Sequence, residues 1–451
     1  MGQAVDCYGV SIDSRTLDEG DLFIAIRGDR FDGHDYVESA LNNGAALALV
    51  SREHASKQTP KRGGLVVVDD SYAGMYALAQ AARARSHAKI VAVTGSVGKT
   101  STKEALKLIL SRFGPTHAPE KSFNNHWGVP LTLCRMPTDA QYAVFEIGMN
   151  HANEISPLSN LVQPHVAMIT TVAPVHLENL GTIEAIAAAK AEIFDGLMPG
   201  GAAVVHADIP QTPFLVERAT AAGAGKTLTF GHTGGSNAEL LQVALRSDCS
   251  TVNAAINGRP IMFKVGAPGE HLVVNSIGIL AVCEALGLDL AKAGLALAQL
   301  QQPAGRGRRH TIETAGDPIT VLDESYNANP TSMQAAIQVL SRLSLGPGGK
   351  RMAVLGDMLE LGEEAETMHR ELGQHIARQN VDLVYACGPL MKELWHALPE
   401  AKRGAYESRS LDLIEQVVKA LRSGDAVMVK GSLGSNMAPV VDALTAKQRA
   451  L

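Results

Sequence analysis

The segment Thr94-Gly95-Ser96-Val97-Gly98-Lys99-Thr100-Ser101 constrains the fold more than any other part of the chain. It follows the apolar, β-branched run IVAV and precedes a helical pattern that places Ala105, Leu106, Ile109, Leu110 and Phe113 on one face. Glycines at such a strand-to-helix turn let backbone N–H groups wrap a phosphate, and the helix N-terminus brings a positive dipole end to the same place. Lys99 adds a point charge and Thr100 a hydroxyl suited to Mg²⁺. The general phosphate-loop pattern has a glycine where this chain has Val93, so the loop is a shortened variant. The alternative is an ordinary glycine turn with a surface lysine; the strand–loop–helix context favours nucleotide binding.

A loop of this kind needs a largely parallel sheet behind it. Short β-branched runs alternate with helical patterns throughout, the pattern of α/β layers. Residues 65–70, 90–96, 143–148, 165–172 and 202–208 read as strands. Residues 71–86 and 183–197 read as helices, the first capped by Ser71. A second, separate series follows at 319–325, 352–357, 382–388 and 425–431. The Pro-, Gly- and Arg-rich LQQPAGRGRRH, 300–310, reads as the linker between the two series. At about 150 residues per domain, 451 residues suggest three domains, expected at 1–87, 88–304 and 305–451.

With 46% hydrophobic and 19% charged residues, the chain is apolar enough for sizeable cores, which excludes long-range disorder. A net charge of −6 argues against a general nucleic-acid or anionic-membrane binder, both of which need a basic footprint. The five cysteines are scattered and form no CxxC pair, so neither a disulfide framework nor a zinc ribbon is indicated and a reducing compartment fits. The start, MGQAVDCYGVSIDSR, lacks a secretory pattern, and the charge-free stretch from Ile155 to Leu177 contains Pro157, Pro164 and Pro174. A cytoplasmic chain without a membrane span, acting as a monomer, is the expectation.

In an open α/β sheet ligands bind at the carboxyl ends of the strands. Glu146 ends the run AVFEIG and His176 follows HVAMITTV, so both belong near the phosphate loop. A Glu146 oxygen suits Mg²⁺, and His176 would complete a metal shell or orient a ligand; taken singly, Glu146 reads equally as a structural acid and His176 more often as a packed residue, and their joint placement favours the ligand reading. Lys190, the one basic residue of EAIAAAKAEIF, reads by itself as a surface lysine with its stem along the helix.

Taken together, TGSVGKTST, FNNHWGVPLTL (123–133), FEIGMNHANEI (145–155), APVHLENLGTIEAIAAAKAEIF (173–194), LDESYNANPTSM (322–333) and LGDMLELG (355–362) resemble the ATP-dependent Mur ligases of peptidoglycan synthesis. The resemblance begins at DSRTLDEGDLFIAIRGDRFDGHDYVESALNNGA (13–45) and runs in order along the whole chain. It implies an N-terminal domain for the UDP-sugar, a central ATPase and a C-terminal Rossmann-like domain. Ser14, Arg15 and Thr16, with the loop GDRFDGHDY, would meet the uridine diphosphate end of the substrate. Asn124 and Asn125 look like substrate or phosphate contacts. Asn275 would meet adenine and the linker residue Arg306 would reach the nucleotide. Asp323, Tyr326, Asn327 and Asn329 would lie beside it, with Asp323 a candidate for the ribose. Lys190 matches the lysine that relatives carbamylate to help hold a second Mg²⁺, which replaces the surface reading.

The chain departs from the family pattern at Glu324, where a second aspartate is common, and at Leu433, where an arginine usually follows lysine-glycine-serine. The implied reaction is ATP-dependent amide formation through an acyl phosphate. Lys99, His176 and Lys190 would be catalytic, and Thr100, Glu146, His176 and carbamylated Lys190 would hold metal. YNANP and LGDMLELG resemble the member that joins D-alanyl-D-alanine to a UDP-N-acetylmuramoyl-tripeptide. The alternatives are a sister ligase adding the third residue, a folate polyglutamylating enzyme, or a nucleotide sensor whose GRGRRH linker binds RNA.

Overall fold

The computed structural model describes residues 5–28, 31–56, 62–119 and 122–446. They build three sheets. The first is four-stranded and parallel, in the order Val10–Ser11, Leu22–Ile24, Leu47–Ser51, Gly64–Val68. The second runs Arg259–Val265, Ser250–Ile256, Ala238–Leu245, Lys226–Gly231, Ala202–His206, Val166–Ile169, Lys89–Thr94, Tyr142–Glu146, Thr116–His117, with Lys89–Thr94 among its inner strands. Its pairings are parallel except those joining its last three strands in sequence, which are antiparallel. The third sheet runs Arg308–Ile312, Ile319–Glu324, Ala426–Lys430, Arg351–Gly356, Leu383–Cys387, Arg403–Glu407, parallel apart from its first pairing.

Strand periodicity sets the cores, because successive side chains point to opposite faces. Val91, Val93, Val144 and Met168 enter a core with the helices Lys99–Leu110 and Glu270–Ala285. Their neighbours Ile90, Ala92, Phe145 and Ile169 enter a second core on the opposite face with Ile155–Val162 and Ile183–Ala191. The third sheet divides likewise, Leu355 and Met428 to one side and Val354 and Val429 to the other. The runs that read as strands at both series are strands, each shifted by a few residues at its ends.

Three local expectations change. The helix Ser71–Arg85 is capped by Asp70, whose carboxylate accepts from Ala73 N; Ser71 is already helical and its hydroxyl donates to Ala25 O. The helix from Ile183 ends at Ala191 and tightens into a 3₁₀ turn, Glu192–Gly196. Part of the expected linker is structured, because Arg308, Arg309 and His310 belong to the edge strand of the third sheet. Several strands were not expected, Leu22–Ile24, Leu47–Ser51, Lys226–Gly231, Ala238–Leu245 and Arg403–Glu407 among them. Ser250–Ile256 and Arg259–Val265 form a hairpin over Asn257-Gly258, both left-handed, the combination that a two-residue hairpin turn requires.

The seams between the sheets differ in kind. Leu22, Ile24 and Leu49 of the first sheet pack with Met75 and with Leu131 of the helix Gly128–Cys134, so the first seam is apolar. Polar contacts cross to the third sheet and its linker: Ser101 Oγ to Gln302 Oε1 at 3.3 Å, Arg306 to Ser122 Oγ at 3.4 Å and Arg309 to Ser247 O at 2.8 Å. Among the described residues Asp32, His34 and His54 form the one cluster dense enough to resemble a metal site. His34 Nδ1 lies 2.6 Å from Asp32 Oδ1 while its Nε2 accepts from Ser51 N at 3.0 Å, so both ring nitrogens are already occupied in holding the turn.

Candidate active site

The phosphate loop owes its shape to two glycines. Gly95 (φ 149°) and Gly98 (φ 87°) occupy backbone that other residues rarely adopt. An added Cβ would lie 1.9 Å from Thr170 Oγ1 at Gly95 and 2.4 Å from Asn275 Nδ2 at Gly98. Gly98 also starts the helix Lys99–Leu110, which no side chain caps, so its first-turn N–H groups are left to an anion. The loop is braced from behind: Ser96 N donates to Thr171 O at 2.9 Å, Ser96 Oγ donates to Ala173 O at 2.9 Å and Thr170 Oγ1 donates to Val97 O at 2.6 Å. Ser96 therefore serves the loop's frame, and Thr94 is wholly buried.

Lys99 folds back over the loop and donates to Gly95 O at 2.5 Å. Burial pushes its ammonium down from the usual lysine value; Glu146 draws it up and Arg306 presses it further down. Thr100 Oγ1 donates to Glu146 Oε2 at 2.9 Å, and Asn124 Nδ2 donates to Glu146 Oε1 at 2.8 Å. Two hard oxygens thus stand beside the loop. Mg–O distances of about 2.0–2.1 Å put neighbouring octahedral ligands ~2.9 Å apart, the separation that the Thr100–Glu146 pair holds.

Lys190 is 2% exposed, far from a surface lysine. Burial holds its amine well below the usual value, and the charge of Lys99 acts in the same direction. His176 begins a short helix in left-handed backbone (φ 56°) and lies with Nδ1 2.7 Å from Glu360 Oε2, a carboxylate of the third domain. That contact holds the Glu360 carboxyl below its usual range.

A cavity of about 1130 Å³ brings together Lys99, Asn124, Glu146 and His176; Thr100, Lys190 and Glu360 do not line it. Ser96, Val97, Gly98, Lys99 and Ser101 line its phosphate end, with Asn124, Asn125, Glu146 and His176 close by. Asn275, which abuts Gly98 of the loop, and Arg306 also line the cavity, and the third domain adds Tyr326, Asn327 and Asn329. The Arg306 guanidinium stacks 4.2 Å from the centre of the Tyr326 ring. Asn125 also caps its own turn, accepting from Gly128 N at 2.9 Å, and Asn329 caps the helix Pro330–Arg342. Of the acidic pair, Glu324 lines the cavity and Asp323 does not. Asp323 instead accepts from Gly305 N at 2.7 Å and from the Ser325 hydroxyl at 2.6 Å, fastening the linker to the third sheet. Glu324 pairs with Lys430 at 3.2 Å, a partnership that sequence reasoning missed although both lie at strand ends. Leu433 is exposed.

A second cavity, about 1410 Å³, opens between the first two sheets. Ser14, Arg15 and Thr16 line it with Lys107 and Arg135, and Trp127 and Phe31 add aromatic surface. Arg15 is held by Asp13 through two bonds of 2.8 and 2.9 Å. Asp29 and Arg30 of the GDRFDGHDY loop lie outside the described residues.

Three family matches cover almost the whole chain: "Mur ligase family, catalytic domain" at 6–113, "Mur ligase middle domain" at 93–283 and "Mur ligase, glutamate ligase domain" at 307–433. The UDP-N-acetylmuramoyl-tripeptide–D-alanyl-D-alanine ligase of Bacillus subtilis is 35% identical over 437 residues, 96% of this chain and 92% of that one. A crystal structure of MurF from Acinetobacter baumannii superimposes with a TM-score of 0.84 at 31% identity, covering 97% of this chain and 93% of that one. MurF from Thermotoga maritima, solved with ADP, gives 0.81 at 26% identity, with 98% of each chain covered. A shortened phosphate loop that shares one cavity with Arg306 and Tyr326, continuous likeness over three domains and this superposition lead to one conclusion: the chain belongs to the Mur ligase family.

Proposed function

We propose that the protein is the ATP-dependent ligase that joins D-alanyl-D-alanine to UDP-N-acetylmuramoyl-tripeptide in peptidoglycan precursor synthesis, releasing ADP and phosphate. The observation that carries it is the single cavity in which Lys99, Glu146, Arg306 and Tyr326 meet, fed by three segments of chain. The three domains are taken as 1–87 for the UDP-sugar, 88–304 for ATP and 305–451 for closing the nucleotide site, in a monomer working in the cytoplasm. No helix among the described residues is long and apolar enough to cross a membrane.

A carboxylate is a poor electrophile, so amide formation needs activation. The substrate carboxylate attacks the γ-phosphate, the bond to the ADP oxygen breaks, and an acyl phosphate forms. The amine of D-alanyl-D-alanine then adds to that carbonyl, loses a proton and expels phosphate. Lys99 and the first-turn N–H groups hold the transferring phosphoryl group, and Arg306 meets the nucleotide. Thr100 and Glu146 fit Mg²⁺ as an oxygen pair. When bound, the cation would offset the charge of the phosphate oxygens. His176 and Lys190 belong to a second cation's surroundings. Burial disfavours the charged form of the Lys190 amine; the neutral amine adds to carbon dioxide with loss of a proton, and the resulting carbamate would offer an oxygen ligand. Asn275 reaches the base, and Asn327, Asn329 and Tyr326 flank the nucleotide. Ser14, Arg15 and Thr16 anchor the diphosphate in the second cavity. Asn124 and Asn125 face the peptide end.

Phosphate release measured with each substrate omitted in turn tests the reading. It is expected only when the UDP-tripeptide and D-alanyl-D-alanine are both present; release with a single amino acid in place of the dipeptide would move the protein to a sister ligase.

A further inference from the structure

The segment LGDMLELG, 355–362, has no part in the mechanism above, yet its tip meets the phosphate end of the site. Its backbone is fixed just before Glu360. Met358 N donates to Nε2 of the buried His369 at 3.0 Å, Leu359 N donates to Ser432 Oγ at 2.9 Å, and Met358 and Leu361 are buried on either side. Between these anchors Glu360 takes left-handed backbone, φ 63°, so its side chain leaves the third domain in one direction. Its Oε2 ends 2.7 Å from His176 Nδ1. Beyond it, a Cβ added to Gly362 would lie 3.4 Å from Glu178 Cα, so the two loops meet backbone to backbone.

The loop carrying His176 is fixed as firmly, but to the phosphate loop, through Ser96 N to Thr171 O and Ala173 N to Ser96 Oγ, both 2.9 Å. His176 lines the cavity while its Nδ1 is buried, with Glu360 Oε2 as its near neighbour though not in hydrogen-bond alignment, so Nε2 is the nitrogen available to a ligand. Two non-glycine residues in left-handed backbone therefore face each other across a domain boundary, each on a braced loop. Strain of that kind persists where the surroundings enforce it, and it collects at functional sites.

We propose that Glu360 is a positioning residue for His176: the docked third domain supplies the carboxylate that fixes the imidazole with the proton on Nδ1 and Nε2 turned to the phosphate end of the cavity. What Nε2 then meets, an oxygen of the nucleotide–cation complex or its water, rests on the ligase reading; the Glu360–His176 arrangement does not. Docking of the third domain and alignment of His176 become one event, which keeps ATP from being turned over by an open enzyme.

The test combines spectroscopy and kinetics on the full chain. With ¹⁵N-histidine label, ADP bound and the signal assigned by a His176→Asn variant, His176 is expected as the tautomer protonated at Nδ1. Glu360→Ala should abolish that preference, and Glu360→Gln, whose amide oxygen still accepts from Nδ1–H, should retain it. Glu360 is 53% exposed, so neither change threatens the fold. Glu360→Ala should lower kcat on the order of tenfold to a hundredfold with the KM for the UDP-substrate unchanged, and Glu360→Gln should recover most of the loss. Unchanged His176 shifts in Glu360→Ala, a loss confined to KM, or a Gln variant as poor as the Ala variant would each overturn the proposal. Should the unaltered protein fail to use D-alanyl-D-alanine, the ligase reading falls while the nitrogen shifts still decide the role of Glu360.

Discussion

At Lys99 a single ammonium contacts its own loop carbonyl in the structure and is positioned to move onto a phosphate. Preorganised charge of this kind contributes roughly 10²–10³ in rate. Lys99→Ala should therefore reduce ADP formation by at least that factor, measured with saturating UDP-tripeptide and D-alanyl-D-alanine; substantial ligation by the variant would remove the loop from the mechanism. Lys190 carries a second prediction. Only the neutral amine adds to carbon dioxide, and a lowered pKa makes that form available at lower pH than for an ordinary lysine. Equilibration with ¹³C-bicarbonate near neutral pH should give a carbamate carbon resonance that Lys190→Arg lacks. The short-range chemistry of both residues was legible in the sequence: Lys99 from its glycines, Glu146 from its place at a strand end. Burial of Lys190 was not, because an alanine-rich helix with one lysine looks alike whether the lysine faces water or core. Nor could the sequence say that Asp323 would turn to Gly305 and leave Glu324 facing the cavity, since that choice depends on where a linker 18 residues away returns to the sheet.

At the scale of elements, the helix Ile155–Val162 shows how one part supports another. Its N-terminus has no cap of its own; the buried carboxylate of Glu192 accepts from Asn153 N, Ile155 N and Ser156 N at 2.6, 3.1 and 3.1 Å. Glu192 stands two residues beyond Lys190, so the cap also pins the helix that carries the buried lysine. Removing it leaves three donors without partners, at a cost of about 1–3 kcal/mol. Glu192→Ala should lower the thermal midpoint by several degrees in calorimetry, and Glu192→Gln by less; an unaltered midpoint would show that water replaces the carboxylate. The parallel strands were readable as apolar runs because both their faces are buried. The strands at 238–265 were not, since they alternate buried and exposed residues at a sheet margin. The turn Asn257-Gly258 was the available clue.

Across the whole molecule, the two seams decide which domain is free to move. Burying Leu22, Ile24, Leu49, Met75 and Leu131 stabilises the first seam by ~1.5–3 kcal/mol per side chain at most, while the hydrogen bonds and the His176–Glu360 contact across the second exchange readily with water. The third domain should therefore be the one that swings, closing on ATP. Scattering with and without an ATP analogue and UDP-substrate is expected to differ by a contraction; superimposable profiles would count against it. The two cavities share one stretch of chain. Phe123 and Trp127 line the cavity beside the first sheet, proposed for the UDP-sugar, while Asn124, Asn125 and His126 line the cavity at the phosphate loop. A substrate anchored in the first must cross that stretch to place its carboxylate in the second. The protein is in this sense a caliper, with jaws set by the loop 122–127. A UDP-substrate one residue shorter should bind with similar affinity by calorimetry yet form little acyl phosphate, because its reacting end falls short of Lys99.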